Sequence, residues 1–247
     1  MTDARLAAWI DELVAANRIL ANAGVVDAFG HVSVRHPDDP ERFLLSRSRS
    51  PELVEAADIF EFRLDGSAVS ISGEAPYIER FIHAAIYAAR PDIVATVHSH
   101  ADEVVPFSIS KTPLRPVLHT AASIGARIPV WDIREQFGAN TNMLVTTIEH
   151  GRDLAARLGD ERVVLMRGHG FAATGRSIYE AVKTALYLPR NANILATALA
   201  LDEEVVPLSA GEIEAVCAIG PGAASSRRAW EYWCSKAGIA AAPACTV

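Results

Sequence analysis

Leu6, Ile10, Leu13 and Leu20 recur at helical spacing, and Gly24 follows where a C-cap glycine sits, so the chain opens with an amphipathic helix. The period then changes from helical to alternating. His31 to Arg35 reads HVSVR, a turn-rich HPDDPE follows, and RFLLS resumes the extended pattern, which predicts a hairpin. A second hairpin is predicted where IFEFRL and SAVSI flank Asp65-Gly66. From Pro76 to Arg90 the apolar positions Ile78, Phe81, Ile82, Ala85, Ile86 and Ala89 return to helical period behind a proline, so Glu79 and His83 share one face. DIVATVHSHA then reads as a buried strand whose apolar residues run straight into two histidines.

A less regular stretch with Pro113, Pro116 and Pro129 contains His119 and a turn or helix over AASIG. TNMLVTTIEHGRDLAARLG is predicted helical, and ERVVLMRGHG is a strand leading into a glycine-flanked loop. Ser177 to Glu180 matches a capping box opening a long helix to about Leu201, with Pro189 expected to kink it. From about residue 208 one further helix is expected, carrying Trp230, Tyr232 and Trp233, followed by a loose alanine-rich tail. No internal repeat and no linker divides the pattern, so residues 1–247 read as a single α/β domain.

Composition narrows the partners. Half the residues are hydrophobic and 21% are charged, as in an ordinary globular domain. A net charge of −7 argues against a phosphate-tracking nucleic-acid binder, and no apolar run has the length of a membrane span. The expected partner is therefore a small molecule. The acidic N-terminal segment does not read as a secretory signal, and Cys217, Cys234 and Cys245 are odd in number without metal-site spacing. Free thiols in the cytoplasm are expected.

His98 and His100 stand two apart on a predicted strand, so both side chains project the same way, roughly 7 Å apart along the backbone. Alone, H-x-H is more often structural or incidental. His169 changes the weighing: it sits between Gly168 and Gly170 at the end of the apolar strand VVLM, where packing has little use for an imidazole. Three histidines at two strand ends leave coordination positions open, as a catalytic metal requires. Glu79 has two readings. It is a surface carboxylate at a helix N-terminus, or, combined with the histidines, a partly buried acid/base whose pKa burial would raise. Between strands, Gly30-His31-Val32-Ser33 and Leu45-Ser46-Arg47-Ser48-Arg49 offer groups for holding an anion, with Ser46 and Arg47 favoured over Arg49. His36 and His150 are expected in solvent, and His83 on a helix face near the site.

The order GHVSVR, LSRS, E-x-x-x-H, VHSHA and RGHG-x-x-x-x-G resembles the class II aldolase/adducin superfamily over roughly residues 5 to 205. That resemblance implies His98, His100 and His169 as ligands of one divalent metal per subunit, with Glu79 as the acid/base. It also implies a three-layer α/β/α fold around a mixed, largely antiparallel sheet, assembled as a homo-oligomer, usually a tetramer, with active sites between subunits. Manganese or zinc is expected, with cobalt or iron accepted by the same imidazoles. No organic cofactor is implied.

The departures from the sugar-phosphate aldolases bear on substrate. Their Gly-Asn-x-Ser appears here with His31 for the asparagine, Leu45-Ser46-Arg47-Ser48 replaces their phosphate loop, and Thr120 follows His119 where they carry a tyrosine. GHVSVR with FLLSRSRSPELV is similar instead to the decarboxylases of ortho-hydroxy aromatic and pyridine dicarboxylates, such as the dihydroxyphthalate and 3-hydroxy-2-methylpyridine-4,5-dicarboxylate decarboxylases. This implies a carboxylate substrate, with Glu79 and His119 catalytic and Gly30, His31, Ser33, Ser46 and Arg47 around the substrate. An aldolase or epimerase on a sugar phosphate or hydroxy-keto acid is the alternative, and a non-catalytic adducin-like module is a third reading.

Overall fold

The structure, a computed structural model, describes residues 2–69, 73–202, 204–219 and 223–240. Among these residues seven strands form one sheet: β1 (His31–Arg35), β2 (Arg42–Ser46), β3 (Ile59–Arg63), β4 (Ala95–Ser99), β5 (Val130–Trp131), β6 (Val163–Met166) and β7 (Gly170–Gly175). Their order is β3-β2-β1-β4-β7-β6-β5, and every pairing is antiparallel except β5 with β6. The helices are α1 (Thr2–Asn22), α2 (Arg80–Ala89), α3 (Val105–Ile109), α4 (Arg134–Phe137), α5 (Ile148–Leu158), α6 (Ile178–Leu201), α7 (Ala210–Cys217) and α8 (Ala224–Lys236). The mixed, largely antiparallel sheet expected from the sequence is therefore present.

Strand alternation splits the interior into two cores and so produces three layers. Val32, Val34, Leu44, Val97, Val163 and Leu165 join Leu13, Leu20, Val182 and Leu195 of α1 and α6 in one core. Phe43, Leu45, Val164, Met166 and Ala172 join Ile82 and Ile86 of α2 and Leu154 of α5 in the other. Gly24, at φ +70, ends the first helical segment in the left-handed conformation its position predicted. Ser177 caps α6 by accepting from the Glu180 backbone N–H. The Glu180 carboxylate receives the Arg176 backbone N–H rather than that of Ser177, so the capping box closes one residue early.

Several boundaries differ from the expected ones. Glu79 is the N-cap of α2 rather than a residue inside it. The helix expected from residue 141 begins only at Ile148, because Thr147 caps it and Val145 donates its backbone N–H to Glu79. The second hairpin survives among the described residues as a lone bridge from Phe62 to Ala68, and Ser70 and Ile71 of its expected second strand lie outside them. Two helices, α7 and α8, stand where one was expected, and the alanine-rich tail with Cys245 lies outside the described residues. Cys217 and Cys234 are free. Among the described residues no helix is long and apolar enough to cross a membrane.

Helices α2 and α5 lie so close that a Cβ on Gly151 would stand 2.3 Å from the Phe81 carbonyl oxygen. Gly151→Ala is expected to destabilise the fold by about 1–3 kcal/mol through overpacking. Urea unfolding should show a lower midpoint at unchanged slope; an unchanged midpoint would mean that the two helices separate freely.

Candidate metal centre

Two periodicities meet on the α2 side of the sheet. Val32, Val34, Ala95 and Val97 face the first core, so the alternate residues His31 and Ser33 of β1 and Thr96 and His98 of β4 face α2. Opposite them Glu79, His83 and Tyr87 succeed one another at intervals of four, one stripe of a helix surface. Antiparallel pairing sets His31 directly beside His98. His100 follows β4 immediately, and His169 stands in the turn from β6 to β7. That turn approaches His100 closely: a Cβ on Gly170, at φ +156, would lie 2.0 Å from the Ser99 carbonyl oxygen. Only glycine permits this approach.

His98, His100, His169 and Glu79 each offer a donor atom, and all these atoms lie within 4.8 Å of one another. The His100 Nε2 is 3.0 Å from Nε2 of both His98 and His169. Carbonyl oxygens fix two of the tautomers. His98 Nδ1 donates to the Phe171 oxygen at 3.0 Å and His169 Nδ1 to the Met143 oxygen at 3.1 Å, so both Nε2 atoms present lone pairs inward. Lone pairs and a carboxylate converging this tightly make a donor set for a cation lying among them. The spacing also suits one: nitrogens about 2.1 Å from a common ion and at right angles are about 3.0 Å apart. The residues therefore fit a divalent metal, with Glu79, read from the sequence as the acid/base, beside the three histidines read as ligands.

Glu79 is 8% exposed, its Oε2 3.5 Å from His98 Nε2 and 3.6 Å from His169 Nε2. Burial pushes its pKa up, but the neighbouring His169 and His98 outweigh burial and hold it below the usual carboxylate range. This reverses the direction expected from burial alone. Glu79 Oε1 also accepts the Val145 N–H at 2.9 Å, which favours the ionised form further. Met143, whose carbonyl orients His169, has φ +67, a costly conformation for a side chain with a Cβ. Residues 143–145 thus hold His169 and the Glu79 carboxylate together. His100 is pushed down to about 4 by burial and by the neighbouring His98 and His169, so it stands neutral and ready to ligate.

A cavity of about 460 Å³ opens beside Glu79 and His100, within the range that holds small molecules. His31 lines it, as expected, while Gly30 is buried at its edge against Val26 and the His98 carbonyl. Ser33 is buried and turned toward His83 and Tyr87 rather than toward the cavity. Ser46 is buried, and Arg47 is engaged by Asp58 at 2.6 Å and Glu74 at 3.3 Å. The wall is formed instead by Ser48, Arg49 and Ser50, with Arg49 also paired to Asp58 at 2.6 Å and to Glu55 at 3.6 Å. Tyr77 donates its hydroxyl to the Arg49 carbonyl, fixing that segment. Phe29, Ile78 and Leu144 complete an apolar wall; nothing in their local pattern distinguished them from ordinary loop or helix-start residues. His119 stands apart from the cluster in this chain, exposed at the start of a short 3-10 turn over His119–Ile124.

His83 is wholly buried and pushed down to about 3 by burial and the charge of His98, from an ordinary value of 6.5. Its folded pKa is depressed, so its stabilising contribution is complete above pH 6.5 and is lost as the pH falls toward 3. Urea midpoints of the metal-free protein should fall across that window. His83→Gln removes the titration and should flatten the slope by up to about 1.4 kcal/mol per pH unit; an equally steep profile in the variant would count against this assignment.

Comparison with known proteins identifies the family. The chain is 37% identical over 197 residues to decarboxylase tropJ of Talaromyces stipitatus, covering 74% of this chain and 73% of that protein. It is 29% identical over 226 residues to a 3,4-dihydroxyphthalate decarboxylase of Terrabacter, covering 85% and 90%. It is 30% identical over 211 residues to an L-fuculose phosphate aldolase of Escherichia coli O6:H1, covering 84% and 89%. Among solved structures, L-fuculose 1-phosphate aldolase from Glaciozyma antarctica shares the fold, with a TM-score of 0.75 and 22% identity over 96% of this chain and 91% of that one. The family profile described as Class II Aldolase and Adducin N-terminal domain matches residues 11–196, and the chain belongs to that family.

Proposed function

We propose that the chain is a divalent-metal decarboxylase acting without an organic cofactor on an ortho-hydroxy aromatic or pyridine dicarboxylate. The observation that carries this reading is the wall of the cavity beside Glu79. Phe29, Ile78 and Leu144 present apolar surface there, with Arg49 in the same wall. A flat ring bearing carboxylates can use both features, whereas a sugar phosphate, with hydroxyls along its length, would lose water against the apolar side chains without replacement bonds. The two decarboxylase relatives support the same choice.

A divalent ion held by His98, His100 and His169 would supply positive charge beside the substrate's hydroxyl and carboxylate oxygens, favouring the ionised hydroxyl. Glu79, ionised in the resting site, takes the hydroxyl proton and returns it to the ring carbon that bears the carboxylate. The ring is then a β-keto acid. The bond to the carboxylate breaks, CO2 leaves, and the bonding pair restores the aromatic ring and the ionised hydroxyl, which takes a proton from solvent. Arg49 with Ser48 holds the second carboxylate, in place of the Arg47 and Ser46 favoured from sequence. His31 bonds a substrate oxygen. His119 acts in catalysis only where a second subunit brings it to the cavity, consistent with the expected homo-oligomer.

Protein reconstituted with manganese or zinc should release CO2 from 3,4-dihydroxyphthalate or 3-hydroxy-2-methylpyridine-4,5-dicarboxylate, and chelation should abolish release. Glu79→Gln should keep its metal and lose about 10²- to 10⁴-fold in kcat. Full activity in that variant would rule out the proton route. If metal-loaded protein leaves every dicarboxylate intact but cleaves L-fuculose 1-phosphate, the aldolase reading favoured by the Escherichia coli relative replaces this one. Arg49→Gln should raise KM for the dicarboxylate by about tenfold or more, the loss of one bond to a charged group; an unchanged KM would remove Arg49 from substrate binding.

A further inference from the structure

A line of buried polar groups runs from the cavity wall into the interior between the sheet and α2. His31 Nδ1 lies 2.7 Å from His83 Nε2, His83 Nδ1 lies 2.6 Å from Ser33 Oγ, and Ser33 Oγ lies 2.8 Å from the Tyr87 hydroxyl. All four residues are at most 1% exposed. Neither Glu79 nor the metal ligands need this line, and packing alone would be better served by apolar side chains.

Each link has room for one proton, so the direction of one hydrogen bond sets all the others. A phenol is a better donor than acceptor, and an imidazole nitrogen lone pair is a better acceptor than a hydroxyl oxygen. Tyr87, whose oxygen is also hydrogen-bonded by Thr96, therefore donates to Ser33, and Ser33 donates to His83 Nδ1. His83 must then carry its proton on Nε2 and donate to His31 Nδ1. The guanidinium of Arg35, 4.9 Å from the centre of the Tyr87 ring, strengthens the phenol as a donor. With His31 Nδ1 occupied as an acceptor, its proton resides on Nε2.

We propose that Tyr87, Ser33 and His83 are positioning residues that lock His31 as an Nε2–H donor, so that the cavity wall presents a fixed hydrogen bond to a negatively charged substrate oxygen. Burial pushes Tyr87 up to about 12 and His83 down to about 3, so the line stays neutral through the working pH range and transmits orientation rather than charge. The proposal does not depend on which lyase reaction the site performs.

The test uses zinc-loaded protein labelled with ¹⁵N in histidine, in which imidazole nitrogen shifts identify the tautomer. His31 should appear as a single Nε2–H tautomer in the parent protein. In Ser33→Ala it should become a mixture with the Nδ1–H form, and Ser33→Thr, which restores a hydroxyl, should recover the single form. Tyr87→Phe, which removes only the terminal donor, should also give a mixture with zinc content unchanged. Turnover should follow: kcat about 10- to 100-fold lower in Ser33→Ala and Tyr87→Phe, with KM changed less than about threefold, the loss of about one oriented hydrogen bond in the transition state. An Nδ1–H tautomer in the parent, or an unaltered tautomer in both variants, overturns the proposal. Because the spectra need no substrate, they decide it even if no dicarboxylate is turned over.

Discussion

Three imidazole lone pairs and a carboxylate held within 4.8 Å form the constraint on which the rest of the site depends. Such a cluster comes from segments distant in sequence, so the scaffold must hold its members in place. Two strand ends do this. His98 and His100 come from one strand and its exit, and His169 from the turn of a neighbouring hairpin that antiparallel pairing brings alongside. The approach is so close that residue 170 can have no side chain. Orientation is then fixed by carbonyls of Phe171 and Met143, atoms that cannot change protonation and so cannot release the tautomers they hold.

The same requirement explains why polar residues crowd an interior that could have been apolar. Facing α2, the sheet presents His31, Ser33 and His98, and the helix answers with Glu79, His83 and Tyr87 at four-residue steps. A buried imidazole is costly unless both nitrogens are used. His83 uses both, and His31 uses one inside, leaving the other for the cavity. The buried stripe continues the metal centre rather than forming a separate structural feature, and it ties the first strand of the sheet to the helix that carries the carboxylate.

Much of this was legible in the residues because it rests on period and order. Alternation in HVSVR, two histidines at the end of an apolar strand, and a histidine between glycines each follow from local geometry, and the Glu79–His83 face follows from helical spacing. What was not legible depended on groups distant in sequence. The stretch before Ile148 has helical apolar spacing, yet Val145 is drawn out of a helix by a carboxylate 66 residues away. Arg47 and Arg49 both pair with Asp58 at 2.6 Å, and only the path of the chain beyond β2 separates the one that lines the cavity, Arg49, from the one favoured by sequence, Arg47. Burial correctly placed Glu79 in a cleft but gave the wrong sign for its pKa, because the histidines beside it act more strongly than desolvation.

Residue 31 shows how a change of substrate can be coupled to the interior. A side-chain amide at such a position carries both donor and acceptor at its tip, and can meet a substrate without buried help. An imidazole in the same place has its two nitrogens on opposite sides of a ring, so one must be satisfied inside the protein before the other can serve outside. In this chain the inner nitrogen reaches His83, and His83 in turn requires Ser33. The donor presented to the substrate is therefore rigid and single-valued, which suits a fixed carboxylate or ring oxygen better than the several interchangeable hydroxyls of a sugar. Substrate class in this fold is on this view set by the hydrogen-bonding line behind the cavity wall as much as by the wall itself.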